Sequence, residues 1–126
     1  HFLVQKAGDT VDWSSKGTDT VSKATCDKVT DMMRIVINEG TGTAAQVTGY
    51  DVAGKTGTGE QASAEGGYES GKYVSSLVGF ANADDPKVLV YVGLNGTPHL
   101  AASSAAPVFS AIMSEALDEM GVKPSA

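Results

Sequence analysis

Two strand patterns, Tyr73–Ala81 and Val88–Asn95, are the strongest in this 126-residue sequence and do most to restrict its fold. They are joined by the turn-forming segment Asn82–Pro86. A connection this short permits an antiparallel hairpin but no crossover to a parallel neighbour. Alternation within Val88–Val92 is weak, which predicts a strand covered on both faces. We therefore expect an antiparallel sheet that contains this hairpin.

Two amphipathic helices are expected on the sheet. The first should begin after Ser22, a plausible N-cap, and end at Gly40. Its apolar stripe predicts that a cysteine and two methionines pack in the core: Cys26, Val29, Met32, Met33, Val36 and Ile37. The second should be capped by Ser103 or Ser104 and end at Gly121 and Pro124. Its predicted buried face is Phe109, Ile112, Met113, Ala116, Leu117 and Met120.

The remaining segments complete an α+β prediction. Residues 1–6 and 10–13 suggest a small hairpin with Ala7-Gly8-Asp9 as its turn and Trp13 as an anchor. Tyr50–Ala53 reads as a strand, and the glycine-rich stretch Gly59–Gly71 should be a mobile loop. The predicted fold is an antiparallel sheet, made of the strand at Tyr50 and the C-terminal hairpin, with amphipathic helices packed on it.

Composition excludes several classes of function. The formal net charge is −6 and no cluster of Lys or Arg is present, which argues against a nucleic-acid partner. The longest apolar run, Val88–Val92, is far shorter than the ~20 residues of a membrane span. No spacing of His, Cys, Asp and Glu suggests a metal, and a single cysteine, Cys26, rules out an internal disulfide. The chain begins at His1 without a signal peptide, so we expect a piece of a longer protein.

The stretch that most strongly indicates a binding or reactive site is Gly54-Lys55-Thr56-Gly57-Thr58. A positive charge, two hydroxyls and free backbone N–H groups lie there beside glycines, where an anionic ligand can approach closely. Residues 49–56 also satisfy the phosphate-loop pattern, but the residues after Thr56 cannot open the stable helix that such a loop requires. We therefore interpret the stretch as an anion-binding strand.

The segment Lys55–Thr58 resembles the third active-site motif of penicillin-binding proteins and serine β-lactamases. Its surroundings strengthen the resemblance, which covers nearly the whole chain. Glu39–Ala45, Ser76–Ala81 and Ala105–Phe109 are similar in order and spacing to the C-terminal part of class B penicillin-binding transpeptidases. In that family a five-stranded sheet is completed by strands that precede the nucleophile, and a helical subdomain covers part of it.

The resemblance implies a D,D-transpeptidase that cross-links peptidoglycan stem peptides ending in D-Ala-D-Ala through a serine ester, and that β-lactams acylate. It implies catalytic roles for Lys55 and Thr58 and substrate-binding roles for Thr56, Gly57 and Thr58, without a metal or cofactor. Gly57 would keep the strand edge clear for the substrate backbone. Because alternation puts Lys55 opposite Thr56 and Thr58, all three can serve one cleft only on a twisted edge strand. The implied location is the extracytoplasmic face of the bacterial membrane.

The sequence departs from the family in one decisive respect, because neither S-x-x-K nor S-x-N occurs in it. We therefore expect residues 1–126 to be a C-terminal fragment, inactive alone, whose partner is the missing N-terminal part of the same protein. Residues 1–20 would form a hairpin and linker, and residues 21–126 the rest. The alternative is a non-catalytic module that binds carboxylates or peptides with the same strand edge. A bared strand edge also predicts self-association of the fragment.

Overall fold

The computed structural model describes residues 2–6, 9–12 and 17–125. Strands β1 (Phe2–Lys6) and β2 (Asp9–Asp12) form an antiparallel pair of their own, as predicted, with Asp9 in the strand rather than in the turn. Ala7, Gly8 and the predicted anchor Trp13 lie outside the described residues. The remaining elements, in chain order, are α1 (Lys23–Asn38), a 3-10 turn (Thr43–Ala45), β3 (Val52–Ala62), β4 (Tyr68–Ala81), β5 (Leu89–Thr97) and α2 (Ala105–Glu119).

Strands β3, β4 and β5 form one antiparallel sheet in that order, which confirms the α+β prediction. One face of the sheet packs against helices, because alternate residues of β4 are buried: Ser75, Leu77, Gly79 and Ala81. Helix α2 lies over β4 and β5 and buries Phe109, Met113 and Leu117 completely. Helix α1 packs against β3 and contributes Ile37 to the same core.

The start of α1 and the end of α2 follow local sequence signals, whereas Ser104, the residue before α2, makes no capping hydrogen bond through its side chain. The hydroxyl of Ser22 accepts a hydrogen bond from the backbone N–H of Thr25 at 3.2 Å and caps α1. At the end of α2, Gly121 adopts a φ of +62°. The N–H groups of Gly121 and Val122 then donate to the carbonyls of Asp118 and Leu117, both at 2.9 Å. This pair of bonds is a Schellman motif, and the predicted stop at Gly121 is confirmed.

The predicted mobile loop at Gly59–Gly71 is wrong in its extent. Strand β3 continues to Ala62 and β4 starts at Tyr68, so only residues 63–67 connect them. Pairing extends through Glu60 and Tyr73 before the register shifts. The ladder of backbone hydrogen bonds between two long strands compensates for the low strand propensity of glycine and serine.

Three predictions of burial are wrong in part. On α1, only Ile37 is buried, whereas Cys26 is exposed and Met32 is 64% exposed. On α2, Ile112 and Met120 are exposed. Periodicity identifies an apolar helix face, but the width of the contact depends on the sheet beneath it. The prediction that β5 is covered on both faces is also wrong, since the side chains on its second face are exposed, among them Leu89 and Tyr91.

None of the helices among the described residues has the length and apolar character needed to cross a bilayer.

Candidate functional site

The Lys55–Thr58 motif lies on β3, an edge strand of the sheet as far as the structure describes it. Thr56 pairs with Leu77 and Thr58 pairs with Ser75, so both threonines lie on the face that packs against the helices. Lys55 and Gly57 lie on the opposite face. The side chains therefore alternate between the two faces as expected from the sequence, and the Lys55 side chain leaves the strand on the face opposite the two threonines.

The side chain of Lys55 overcomes this separation by turning toward the strand edge. Its ammonium group donates a hydrogen bond to the carbonyl oxygen of Thr56 at 2.7 Å. That contact indicates that the Thr56 carbonyl points away from β4, along the free edge. In an antiparallel strand the N–H and C=O of a residue point the same way, and alternate residues share that direction. The backbone N–H of Thr58 is therefore directed to the same edge.

The two threonine hydroxyls are held in place by neighbouring segments. Thr58 Oγ1 accepts a hydrogen bond from the backbone N–H of Ala101 at 3.2 Å, which leaves the hydroxyl proton of Thr58 for a ligand. Thr56 Oγ1 lies 2.7 Å from Thr41 Oγ1, so these hydroxyls share a hydrogen bond. The motif thus offers a cation, two oriented hydroxyls and a backbone N–H, a set suited to a carboxylate.

Thr41 is a site residue that the sequence analysis missed. It lies in the tight turn after α1, between two glycines that leave no room for side chains. A Cβ atom on Gly42 would lie 2.8 Å from Ile37 Cδ1, and one on Gly40 would lie 3.0 Å from Val36 Cα. The sequence signal that could have identified Thr41 is its position between two glycines directly after a helix, because a tight turn of this kind fixes the direction of the hydroxyl.

Gly57 lies close to a side chain of the neighbouring strand. A Cβ atom at this position would lie 2.7 Å from the hydroxyl oxygen of Ser76 on the neighbouring strand. The space that a side chain at position 57 would need is on the sheet face beside Lys55, already occupied by Ser76. Because the Ser76 hydroxyl can rotate away, this contact alone does not require glycine at position 57.

The charge of Lys55 is available to a ligand. Its side chain is exposed, and no carboxylate pairs with it among the described residues, although Lys23, Lys72 and Lys87 all form ion pairs. The structure also excludes a phosphate loop, because Thr56 is followed by a strand to Ala62 rather than by a helix.

A family model described as the penicillin binding protein transpeptidase domain matches residues 2–114. The chain belongs to this family. Within the penicillin-binding transpeptidase family, similar curated proteins include stage V sporulation protein D of Bacillus subtilis, which is 40% identical in an alignment of 107 residues that covers 82% of this chain. Another is the Neisseria flavescens protein named probable peptidoglycan D,D-transpeptidase PenA, which is 36% identical in an alignment of 114 residues that covers 87% of this chain.

The solved structures agree with this membership. The apo structure of the TP domain from Burkholderia pseudomallei penicillin-binding protein 3 matches 98% of this chain with a TM-score of 0.79 and 30% identity. The matched region is 37% of that chain, and it is 16% and 28% of the Bacillus and Neisseria proteins. The penicillin-binding transpeptidase chain described here therefore spans a minor part of the relatives that it matches.

Proposed function

We propose that residues 1–126 are the C-terminal part of a peptidoglycan D,D-transpeptidase, with residues 1–20 as hairpin and linker and residues 21–126 as the body. The observation that carries the proposal is that the Lys55 ammonium and the Thr58 N–H lie at the free edge of β3, while the Thr56 and Thr58 hydroxyls lie on one adjoining face of the same strand. The family match supports the reaction class.

In this proposal the reaction is acyl transfer through a serine ester. A serine in the absent S-x-x-K segment attacks the carbonyl of the terminal D-Ala-D-Ala bond, and D-alanine leaves. An amine of a neighbouring stem peptide then attacks the ester and releases the serine. β-Lactams acylate the same serine, and the reaction stops at that ester. The parent protein works at the extracytoplasmic face of the bacterial membrane, where stem peptides are located.

Each residue of the edge has a role in this reaction. Thr56 and Thr58 donate hydrogen bonds to the carboxylate of the substrate or antibiotic. For Thr56 this requires Thr41 to be the donor in the hydrogen bond that the two hydroxyls share. The Thr58 N–H supplies half of the oxyanion hole. Lys55 contributes positive potential and holds the serine of S-x-N. Gly57 lets the substrate backbone approach the edge as an added strand.

The first test compares two lengths of the protein. We expect fluorescent penicillin to leave the 126-residue chain unlabelled after denaturation, because no S-x-x-K serine is present to be acylated. The protein translated from the complete reading frame should retain the label, and excess unlabelled penicillin should abolish it. Stoichiometric labelling of the 126-residue chain refutes its inactivity. An unlabelled complete protein whose edge still binds peptide carboxylates supports the binding-module alternative instead.

A second prediction concerns the outer edge of β5. Within the described residues no strand pairs with this edge, and Leu89 and Tyr91 are 66% and 65% exposed. We propose that copies of the 126-residue chain associate through it. Light scattering should show a dimer that Leu89→Lys with Tyr91→Lys converts to monomer, while Tyr68→Lys, at the far hairpin, leaves it unchanged. A monomer at high concentration contradicts this prediction.

A further inference from the structure

Arg34 binds three carboxylates from three different parts of the fold. Its Nε donates to Asp51 Oδ2 at 2.9 Å, its Nη1 to Asp31 Oδ1 at 2.6 Å and its Nη2 to Asp84 Oδ1 at 2.6 Å. Asp31 is one turn away on α1, Asp51 immediately precedes β3, and Asp84 lies in the connection from β4 to β5. Arg34 therefore ties α1 to the entry of the motif strand.

The bond to Asp51 is the one best placed to hold the helix. The hydrogen bond to Asp84 is the largest cause that raises the pKa of Arg34, with those to Asp51 and Asp31 adding to it against the effect of burial. The side chains of Asp31 and Asp84 are 70% and 93% exposed, however, whereas that of Asp51 is 33% exposed and that of Arg34 is 21% exposed. Solvent and salt screen the Asp51 pair least.

Three contacts join α1 and the turn after it to β3 and the residue before it, and they occur in the same order along both segments. Arg34 binds Asp51, Ile37 packs where a Cβ atom on Gly54 would lie 3.0 Å from its Cδ1, and Thr41 binds Thr56. The ion pair fixes one end of this contact and the shared hydroxyl bond is at the other. A shift of α1 along β3 would therefore move Thr41 away from Thr56.

We infer that Arg34 is a positioning residue for the carboxylate site, because it sets the register of α1 on β3 and so holds the Thr41 hydroxyl against Thr56. The inference rests on the proposed function, in which Thr56 binds the carboxylate. A lysine cannot replace Arg34, since a single ammonium group cannot reach three carboxylates that approach a planar guanidinium from different directions.

The experiment compares acylation of the complete protein by a penicillin and by its methyl ester, which lacks the carboxylate. Arg34→Gln should lower the second-order rate roughly tenfold for the free acid and leave the ester rate unchanged, since a small displacement of a binding group has a large kinetic effect. Arg34→Lys should behave like Arg34→Gln. Asp51→Asn removes the partner of Arg34 next to β3, and it should cause the same selective decrease in the rate for the free acid. Lys23→Gln, which breaks only the exposed Lys23–Asp27 pair on the same helix, should change neither rate.

If Arg34 acts through Thr41, the effects of substitutions at the two positions should not be independent. In a Thr41→Val background, Arg34→Gln should cause no additional selective loss, whereas Thr41→Ser should keep the effect of Arg34 intact. Equal losses for acid and ester, or full additivity with Thr41→Val, would show that Arg34 serves stability alone and overturn the inference. If Arg34→Gln does not fold, Asp51→Asn takes its place in the double-mutant cycle with Thr41→Val.

Failure of the proposed function is distinguished by a measurement on the 126-residue chain. Arg34→Gln should speed hydrogen exchange at the backbone amide of Gly42, which donates to the Val36 carbonyl at 3.0 Å, while Lys23→Gln should not. If the complete protein is not acylated at all, the proposed function fails while this result still decides whether Arg34 positions the turn. Unchanged exchange at Gly42 overturns the inference regardless of activity.

Discussion

Lys55→Met in the complete protein is expected to lower the second-order rate of acylation by penicillin by about 10²- to 10³-fold. The change removes the positive charge at the strand edge but keeps an unbranched side chain that is only one atom shorter. Groups that stabilise developing negative charge in a water-excluded site contribute effects of this size. Because Lys55 is exposed in the described structure, its replacement should leave thermal unfolding of the 126-residue chain almost unchanged. The measurement is the rate of fluorescent-penicillin labelling under pseudo-first-order conditions.

The matched control is Lys72→Met, which removes an exposed lysine on the adjacent strand β4 and its ion pair with Glu69. That variant should label at the original rate, since surface ion pairs contribute little to stability. A decrease of less than about threefold for Lys55→Met would leave the lysine without a catalytic role, and the edge would then be a binding surface only.

Sequence reasoning succeeded where local signals determine structure. The hairpin of β4 and β5 followed from two strong strands and a short turn, and the start of α1 followed from the capping serine Ser22. Gly121 ended α2 because a left-handed residue satisfies the last carbonyls of the helix. Each of these depends on contacts within a few residues, which one sequence is enough to reveal.

It failed where the structure depends on contacts between distant segments. Gly59–Gly71 reads as a loop because glycine disfavours strands, but pairing with β4 overrides that preference. Cys26 and Met32 belong to a regular apolar stripe, yet the sheet reaches only the last turns of α1. Periodicity gives the direction of an apolar face and does not say how much of it another element covers.

The candidate site was predictable in part for the same reasons. The family resemblance indicated Lys55, Thr56, Gly57 and Thr58, and simple alternation showed that a lysine on the opposite face had to reach the edge. The structure brings its ammonium to the Thr56 carbonyl. Thr41 and Arg34 were not found, because their partners on or beside β3 lie 15 and 17 residues further along the sequence.

The stability of the whole arrangement depends on a glycine that carries no chemistry. Gly79 on β4 pairs with Gly54 on the motif strand, and together they let both helices approach the sheet closely. A Cβ atom on Gly79 would lie 2.8 Å from Phe109 Cζ and 2.9 Å from the carbonyl oxygen of Ala53. The first neighbour is a fully buried ring and the second is backbone, so neither can move away easily.

We therefore expect Gly79→Ala to destabilise the 126-residue chain by about 3 kcal/mol, the upper part of the range for an overpacked core. The melting temperature should fall by roughly 10 °C, measured by circular dichroism. Gly59→Ala is the matched control, since a Cβ atom on this β3 glycine would meet nothing within 4 Å and its φ is not positive. That variant should be neutral or more stable by up to about 1 kcal/mol, because alanine loses less backbone entropy on folding. Equal melting temperatures for the two variants would mean that α2 can lift from β4 without cost, and that the close approach of Phe109 to Gly79 does not hold the motif strand in place.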